Sequence, residues 1–411
     1  MPATCAADAR ATTERTLVSR TTRSPRQRQA RGDSVVGQRH TVEVERIAHG
    51  GFCVGRVEGR AVFVRHTLPG ETVVVEITEG TEGDRFWRGD AVEVLTASPD
   101  RIEPVCQYAG PAACGGCDFQ HVTLKAQRAL KTTVVREQLT RLGKLDPADP
   151  LLTRLSVEHV SGESADINAG LRWRTRVTWV GLPGGLHGLH EHRSRNVVEI
   201  DDCLIATEEA NAGAPTGPVS HTVTTSAGTH DYLVAADGFW QVHPSAPKLL
   251  VETVLDMLQP AEGEKALDLY AGVGLFASFL ADAVGESGKV VAIEGDQSAV
   301  DHATTNLRAF RQAKAVMGAV DKTLATSYDE PFDVVVLDPP RDGAKKAVVD
   351  QVVDRAPRAV AYVACDPAAL GRDVALFAEH GYTLSALRAF DLFPMTHHVE
   401  CVALFTRRDV S

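Results

Sequence analysis

Cys365 closes the apolar run Ala359-Val-Ala-Tyr-Val-Ala364, which reads as a buried strand. A thiol at the carboxyl end of such a strand stands where open α/β sheets hold their ligands, and thiolates are strong nucleophiles. Asp338-Pro-Pro-Arg341 follows a second apolar run, and its two prolines stiffen the loop that aims the Asp338 carboxylate. Asp268-Leu-Tyr-Ala-Gly-Val-Gly274 sets Gly272 and Gly274 between a strand and a helix, where bare backbone can approach a ligand closely. Glu294 ends the next strand about 20 residues on, where an acid bonds ribose hydroxyls. Ala277 fills the third glycine position, so G-x-G-x-x-G is incomplete. That favours S-adenosylmethionine, which has no pyrophosphate, over a nicotinamide dinucleotide. Thiol and nucleoside site together point to covalent chemistry on a base.

Two further sets of residues could do chemistry. Cys106, Cys114 and Cys117 cluster while Cys5, Cys53, Cys203, Cys365 and Cys401 are scattered, a spacing that suits a metal or cluster site better than disulfides. Four thiolates suit a [4Fe-4S] cluster and also tetrahedral zinc. In Leu171-Arg-Trp-Arg-Thr-Arg-Val-Thr-Trp179, an expected strand, Arg172, Arg174 and Arg176 share one face and Trp173, Val177 and Trp179 the other. Three arginines without interleaved acids favour phosphate contact, with a solvated strand face as the alternative.

These residues need a scaffold, and the chain supplies three patterns. From about residue 239 strands alternate with helices and end in two strands near 385–390 and 399–405, which predicts a C-terminal α/β domain, a doubly wound Rossmann-like sheet with a β-hairpin edge, over 239–411. Residues 39–98 hold short alternating strands broken by His49-Gly-Gly51, Glu58-Gly59 and Pro69-Gly70, the pattern of a small OB-like β-barrel. Residues 99–238 form a central α+β domain with the cysteine cluster and a helix over 124–142. Residues 1–38 are rich in arginine and poor in large apolar side chains, which predicts a disordered basic arm.

Net charge is −11, so a nucleic acid must meet local patches rather than a basic surface all round. No apolar stretch is long enough to span a membrane, and the arm lacks the apolar core of a secretory signal, so a cytoplasmic protein is expected.

Asp268-Leu-Tyr-Ala-Gly-Val-Gly-Leu-Phe276, Asp338-Pro-Pro-Arg341, Ala364-Cys-Asp-Pro367 and Asp391-Leu-Phe-Pro-Met-Thr-His-His-Val-Glu400 together resemble the S-adenosylmethionine-dependent RNA 5-methyluridine methyltransferases. His49-Gly-Gly-Phe-Cys-Val-Gly-Arg56 and Pro69-Gly-Glu71 resemble the TRAM domain at the front of many of them. The resemblance implies Cys365 as the nucleophile on uracil carbon 6 and Glu400 as the base that removes the carbon 5 proton. It implies a cofactor site of Gln241, Tyr270, Gly272, Gly274, Glu294 and Asp338, and an iron-sulfur site of Cys106, Cys114, Cys117 and Cys203. Barrel and cysteine cluster together look like the 23S ribosomal RNA enzymes, acting as a monomer on a flipped-out uridine. Transfer RNA methylation, amino methylation at Asp338-Pro-Pro, and non-catalytic RNA binding are the alternatives. Ala364 and Asp366 depart from the Ser and Asn common beside the nucleophile, and Leu275 from a polar residue of the transfer RNA enzymes.

Overall fold

The computed structural model describes residues 32–160, 170–213 and 215–407. Up to residue 31 the expected basic arm lies outside these. Ser34 already bridges Thr81, and Val35 is buried in the barrel core, so barrel packing begins before β1.

Five strands, β1 (Arg39–Ile47), β2 (Cys53–Val57), β3 (Arg60–Arg65), β4 (Thr72–Glu79) and β5 (Phe86–Thr96), close a barrel in the order β1-β2-β3-β5-β4. The period-2 pattern explains it: in β4, Val73, Val75 and Ile77 are buried while their neighbours are not. Closure leaves no open strand edge.

The central region opens with the cysteine loop and α1 (Leu124–Arg141), whose first turn is capped by the Thr123 hydroxyl accepting from the Ala126 N–H. Then follow α2 (Pro150–Thr153), β6 (Val157–Glu158), the small sheet β7 (Val180–Gly181), β8 (His187–His190) and β9 (Val197–Glu199), and α3 (Glu208–Ala212). Residues 171–179 are not the expected strand. Arg172 has a positive φ of 55°, and the segment keeps a single parallel bridge, Arg174 with Ala206. Trp173 and Val177 are buried as expected, but in two separate apolar clusters. The alternation therefore reports burial and not pairing.

The last third begins with a hairpin, β10 (Val219–Thr225) and β11 (Gly228–Val234), that packs on α4 (Ala246–Leu258), α5 (Leu275–Val284) and α6 (Gln297–Asn306). Interleaved with these helices are β12 (Lys265–Leu269), β13 (Lys289–Glu294) and β14 (Ala313–Met317). After them run α7 (Val320–Ser327), β15 (Val334–Leu337), α8 (Lys345–Asp354), β16 (Ala359–Ala364), α9 (Pro367–Glu379), β17 (Tyr382–Phe390) and β18 (Glu400–Arg407). The sheet order is β14-β13-β12-β15-β16-β18-β17-β6, with β12 to β16 parallel and β18 antiparallel to both neighbours. β12, β13, β15 and β16 are buried on both faces by two apolar clusters, as a parallel sheet under two helix layers requires.

Three details differ from the sequence pattern. α6 stops at Asn306 and leaves room for a further strand, β14, whose Ala-Lys-Ala-Val-Met composition carries no clear strand signal. The closing hairpin is not the edge, because β6 from the central region pairs with β17 outside it. The β10–β11 hairpin, ahead of residue 239, packs with the α/β layer.

Candidate active site

The carboxyl ends of three adjacent strands build one end of the site. β12 lies between β13 and β15, so Leu269, Glu294 and Leu337 end side by side. Glu294 Oε2 accepts from the Gly272 N–H at 2.9 Å, and Oε1 from the Gly295 and Asp296 N–H groups at 2.6 and 2.9 Å. Tyr270 has a positive φ of 64° and donates its N–H to Ile293 O at 2.9 Å, while the Asp338 N–H donates to Leu269 O at 3.2 Å. Gly272 (φ 53°) faces open space where a side chain would otherwise project, and Gly274 (φ 87°) caps α5. Gln241 arrives from the loop before α4, its Nε2 3.5 Å from Asp338 Oδ2. All six expected cofactor residues thus gather at the carboxyl ends of β12, β13 and β15, where strand order reverses, the place such sheets bind ligands.

Asp268, inside the glycine motif, was not singled out by the sequence. Its side chain is fully buried, Oδ2 accepts from the Ala277 N–H at 2.9 Å, and Oδ1 has no protein partner. Burial pushes its carboxyl up to about 8, and burial with Glu294 nearby pushes Asp338 up to about 7. A crevice holding several acids that resist ionisation suits a ligand that brings positive charge.

The other end of the site follows from register. β16 and β18 pair with Ala364 opposite Cys401, the last pair of this antiparallel ladder, so Cys365 and Glu400 each directly adjoin that pair. The 35-residue gap between expected nucleophile and expected base is closed by one strand pairing. Burial pushes the Cys365 thiol up to about 12, Glu400 and Asp338 add to this, and Arg341 opposes it. Glu400 is itself buried, and burial with Asp338 nearby holds its carboxyl well above the usual range. Asp338 therefore links the cofactor crevice to the thiol and the acid.

The loop that carries Glu400 is clamped by the central region. Lys131 of α1 donates to Asp391 Oδ1 at 2.5 Å and to Phe393 O at 3.0 Å. Gln127 Oε1 accepts from the Met395 N–H at 2.8 Å, and the Asp118 and Phe119 N–H groups both donate to Met395 O at 2.9 Å. Met395 holds a positive φ of 65°, a strained conformation that these bonds maintain.

Cys106, Cys114, Cys117 and Cys203 line one pocket together with Gln120, Arg174 and Ile205. Burial, aided by the neighbouring thiols, raises Cys106, Cys114 and Cys117 above the ordinary range. Among the described residues no group of three or more His, Cys, Asp or Glu is packed tightly enough to hold a metal ion. Cys53, one of the scattered cysteines, is free and buried in the barrel, and Cys5 lies outside the described residues.

The three arginines are not an open basic stripe. Arg172 forms a two-pronged pair with Asp202 at 2.6 and 2.5 Å, Arg174 Nε donates to Arg176 O at 3.0 Å, and Arg176 donates to Gly238 O at 2.5 Å. Arg176 thereby braces the loop that leads to Gln241.

A doubly wound sheet with several acids at its switch point and a thiol and a carboxyl nearby, joined to a small barrel, has the architecture of a ligand-binding α/β enzyme. Residues 33–92 match the family model described as TRAM domain, and residues 219–408 match that of tRNA (Uracil-5-)-methyltransferase. A Streptomyces avermitilis protein called "Uncharacterized RNA methyltransferase" is 43% identical over 426 residues, 90% of this chain and 98% of its own. The 23S rRNA (uracil(1939)-C(5))-methyltransferase of Chromohalobacter salexigens is 31% identical over 443 residues, 89% of each. The crystal structure of Pyrococcus abyssi tRNA (uracil-54, C5)-methyltransferase in complex with S-adenosyl-L-homocysteine shares the fold, with a TM-score of 0.63 over 89% of this chain and 99% of that one at 20% identity. The chain belongs to the TRAM-containing RNA uracil-5-methyltransferases, enzymes that use S-adenosylmethionine.

Proposed function

We propose that this enzyme forms 5-methyluridine in 23S ribosomal RNA, with Cys365 as nucleophile and Glu400 as base. The observation that supports the residue roles is the β16–β18 register, whose last pair, Ala364 with Cys401, directly adjoins both Cys365 and Glu400. The RNA assignment rests on the 31% identical ribosomal enzyme, which is similar over most of its length.

S-adenosylmethionine, when bound, supplies a methyl group made electrophilic by a sulfonium. Gln241, Tyr270, Gly272, Gly274, Glu294 and Asp338 hold it, with Asp268 beneath the glycine turn. Carbon 5 of uracil is a weak nucleophile, so Cys365 Sγ first bonds to carbon 6 and drives electron density onto carbon 5. Carbon 5 then takes the methyl group, and the thioether S-adenosylhomocysteine leaves. Glu400 removes the proton from carbon 5, the electron pair reforms the 5,6 double bond, and Cys365 departs as thiolate. With no ligand bound, burial first and nearby acids second keep the Cys365 thiol protonated, and Arg341 opposes them.

The donor chemistry suits a [4Fe-4S] cluster: four thiols from two distant segments line one pocket. Such a cluster would be held by Cys106, Cys114, Cys117 and Cys203, would join the cysteine loop to the segment before α3, and would take no part in the methyl transfer; zinc is the alternative occupant. Among the described residues no helix is long and apolar enough to cross a membrane, and we assign a cytoplasmic monomer. The barrel supplies RNA contact, with the target uridine out of its stack.

The deciding experiment incubates the enzyme with S-adenosylmethionine and a 23S ribosomal RNA transcript carrying 5-fluorouridine. Fluorine at carbon 5 cannot leave as a proton, so a denaturation-resistant adduct forms with the wild type and not with Cys365→Ala. Absence of the wild-type adduct, or its survival in Cys365→Ala, overturns the mechanism.

A further inference from the structure

One turn of the barrel touches both catalytic segments. His49-Gly50-Gly51 leads from β1 to β2, far in sequence from the α/β sheet. His49 Nε2 lies 2.9 Å from Asp366 Oδ2, and Asp366 is the residue after Cys365. Asp366 also caps α9, its Oδ1 accepting from the Ala369 N–H at 2.7 Å. A carboxylate can serve both partners because it has two acceptor oxygens; an amide at this position has one. Asp366 thus serves the α9 cap and the barrel turn at once.

The second contact is at the base. Asp118 Oδ2 accepts from the His397 backbone N–H at 3.0 Å and lies 2.6 Å from His397 Nδ1, and His397 precedes Glu400 by three residues. Gly51 fits against this pair. A Cβ on Gly51 would stand 3.0 Å from Asp118 Cγ and 3.0 Å from His397 Cβ, and its φ of +79° already disfavours any side chain. Arg65, buried at the end of β3, approaches Asp118 Oδ1 at 3.8 Å from the barrel side. The barrel is therefore locked to the segment after the nucleophile and to the segment before the base.

We propose that the His49-Gly50-Gly51 turn is a positioning element of the active site, which holds the Asp366 and His397 segments so that Cys365 and Glu400 keep their relative placement. The proposal rests on the assignment of those two residues as nucleophile and base. It gives the barrel a role in turnover beyond holding RNA. Displacing a reacting group by about 1 Å can cost a hundredfold in rate, so two anchoring contacts are enough to matter.

The test is steady-state methylation of a 23S ribosomal RNA transcript by His49→Ala, Asp366→Asn, the double variant and Gly51→Ala. Asp366→Asn keeps the helix cap, since Asn caps as well as Asp. His49 is partly exposed, so His49→Ala retains the fold, which its thermal midpoint verifies. The expected result is a loss of about tenfold in kcat for His49→Ala, with KM for the RNA within about twofold. The double variant is expected to lose no more than the worse single one, because His49 acts through Asp366. Gly51→Ala is expected to accumulate covalent enzyme–RNA intermediate, because the loop holding Glu400 shifts. An increase in KM alone, losses that multiply in the double variant, or unchanged kcat overturns the inference. A wild type that forms no adduct with 5-fluorouridine RNA overturns the underlying mechanism instead, so the two failures are distinct.

Discussion

Gln241 and Asp338, 97 residues apart in the chain, meet at 3.5 Å through Nε2 and Oδ2, and the meeting joins the loop before α4 to the end of β15. Asp338 is also one of the charges that raise both Cys365 and Glu400. One carboxyl therefore stands near Gln241, Cys365 and Glu400 alike.

That arrangement makes a pH prediction. Asp338 and Asp268 are pushed up to about 7 and about 8 from an ordinary 3.8, so between about pH 4 and 8 the folded state holds protons that the unfolded state has released. Stability is then fully retained below about pH 4 with respect to these groups and falls as pH climbs toward 8; for the fully buried Asp268 the fall is on the order of 5 kcal/mol. Denaturant titrations at pH 5 and pH 8 should show it, and Asp268→Asn should flatten the difference. Cofactor binding, which brings positive charge to ionised carboxylates, should release protons and tighten from pH 6 to 8. A level profile for both would mean that these acids are ionised throughout.

Glu400→Gln should separate the two halves of the reaction. Methyl transfer proceeds, but removal of the carbon 5 proton slows by roughly a hundredfold to ten-thousandfold, the usual worth of a positioned base. Gel mobility of the protein on unmodified uridine RNA should reveal a methylated covalent complex. Normal turnover by this variant would remove Glu400 from the role.

Protein purified without oxygen should be brown and carry about four irons, and Cys117→Ser or Cys203→Ser should lose them. The readout is iron and acid-labile sulfide content together with absorbance. One zinc in a colourless protein would replace the cluster with a mononuclear site.

Lys131→Met should be costly although it lies outside the catalytic crevice. Removing one partner of a buried pair strands Asp391, at about 3–5 kcal/mol. Because Asp391 begins the loop that ends at Glu400, kcat should fall with stability. Chemical denaturation beside kinetics checks both; a variant as stable as the wild type would show that the pair contributes nothing net.

Much of this molecule is legible in its residues because local patterns carry it. Short alternating strands with glycine turns announce the barrel, runs such as Ala359–Ala364 that are apolar throughout announce a sheet covered on both faces, and the glycine turn with Glu294 and Asp338 marks the crevice. Those signals are set by neighbours in sequence, through burial and backbone freedom. The segment 171–179 shows the limit: its alternation is real, but no partner strand lies beside it, so burial alternates without a ladder, and Arg172 turns to Asp202. Likewise β14 has no periodic signature because an edge strand at the sheet margin owes its state to pairing with β13.

The sequence by itself determined the residue types, the glycine turn with its strand-end acids and the barrel, since each is a pattern within a few dozen residues. Only tertiary structure decided that Cys365 and Glu400 adjoin the same end of the β16–β18 ladder, that β6 covers the edge beyond β17, and that His49 and Gly51 of the barrel meet Asp366, Asp118 and His397. Strand register and domain docking depend on which distant surfaces exclude water together, and no local run of side chains encodes that choice.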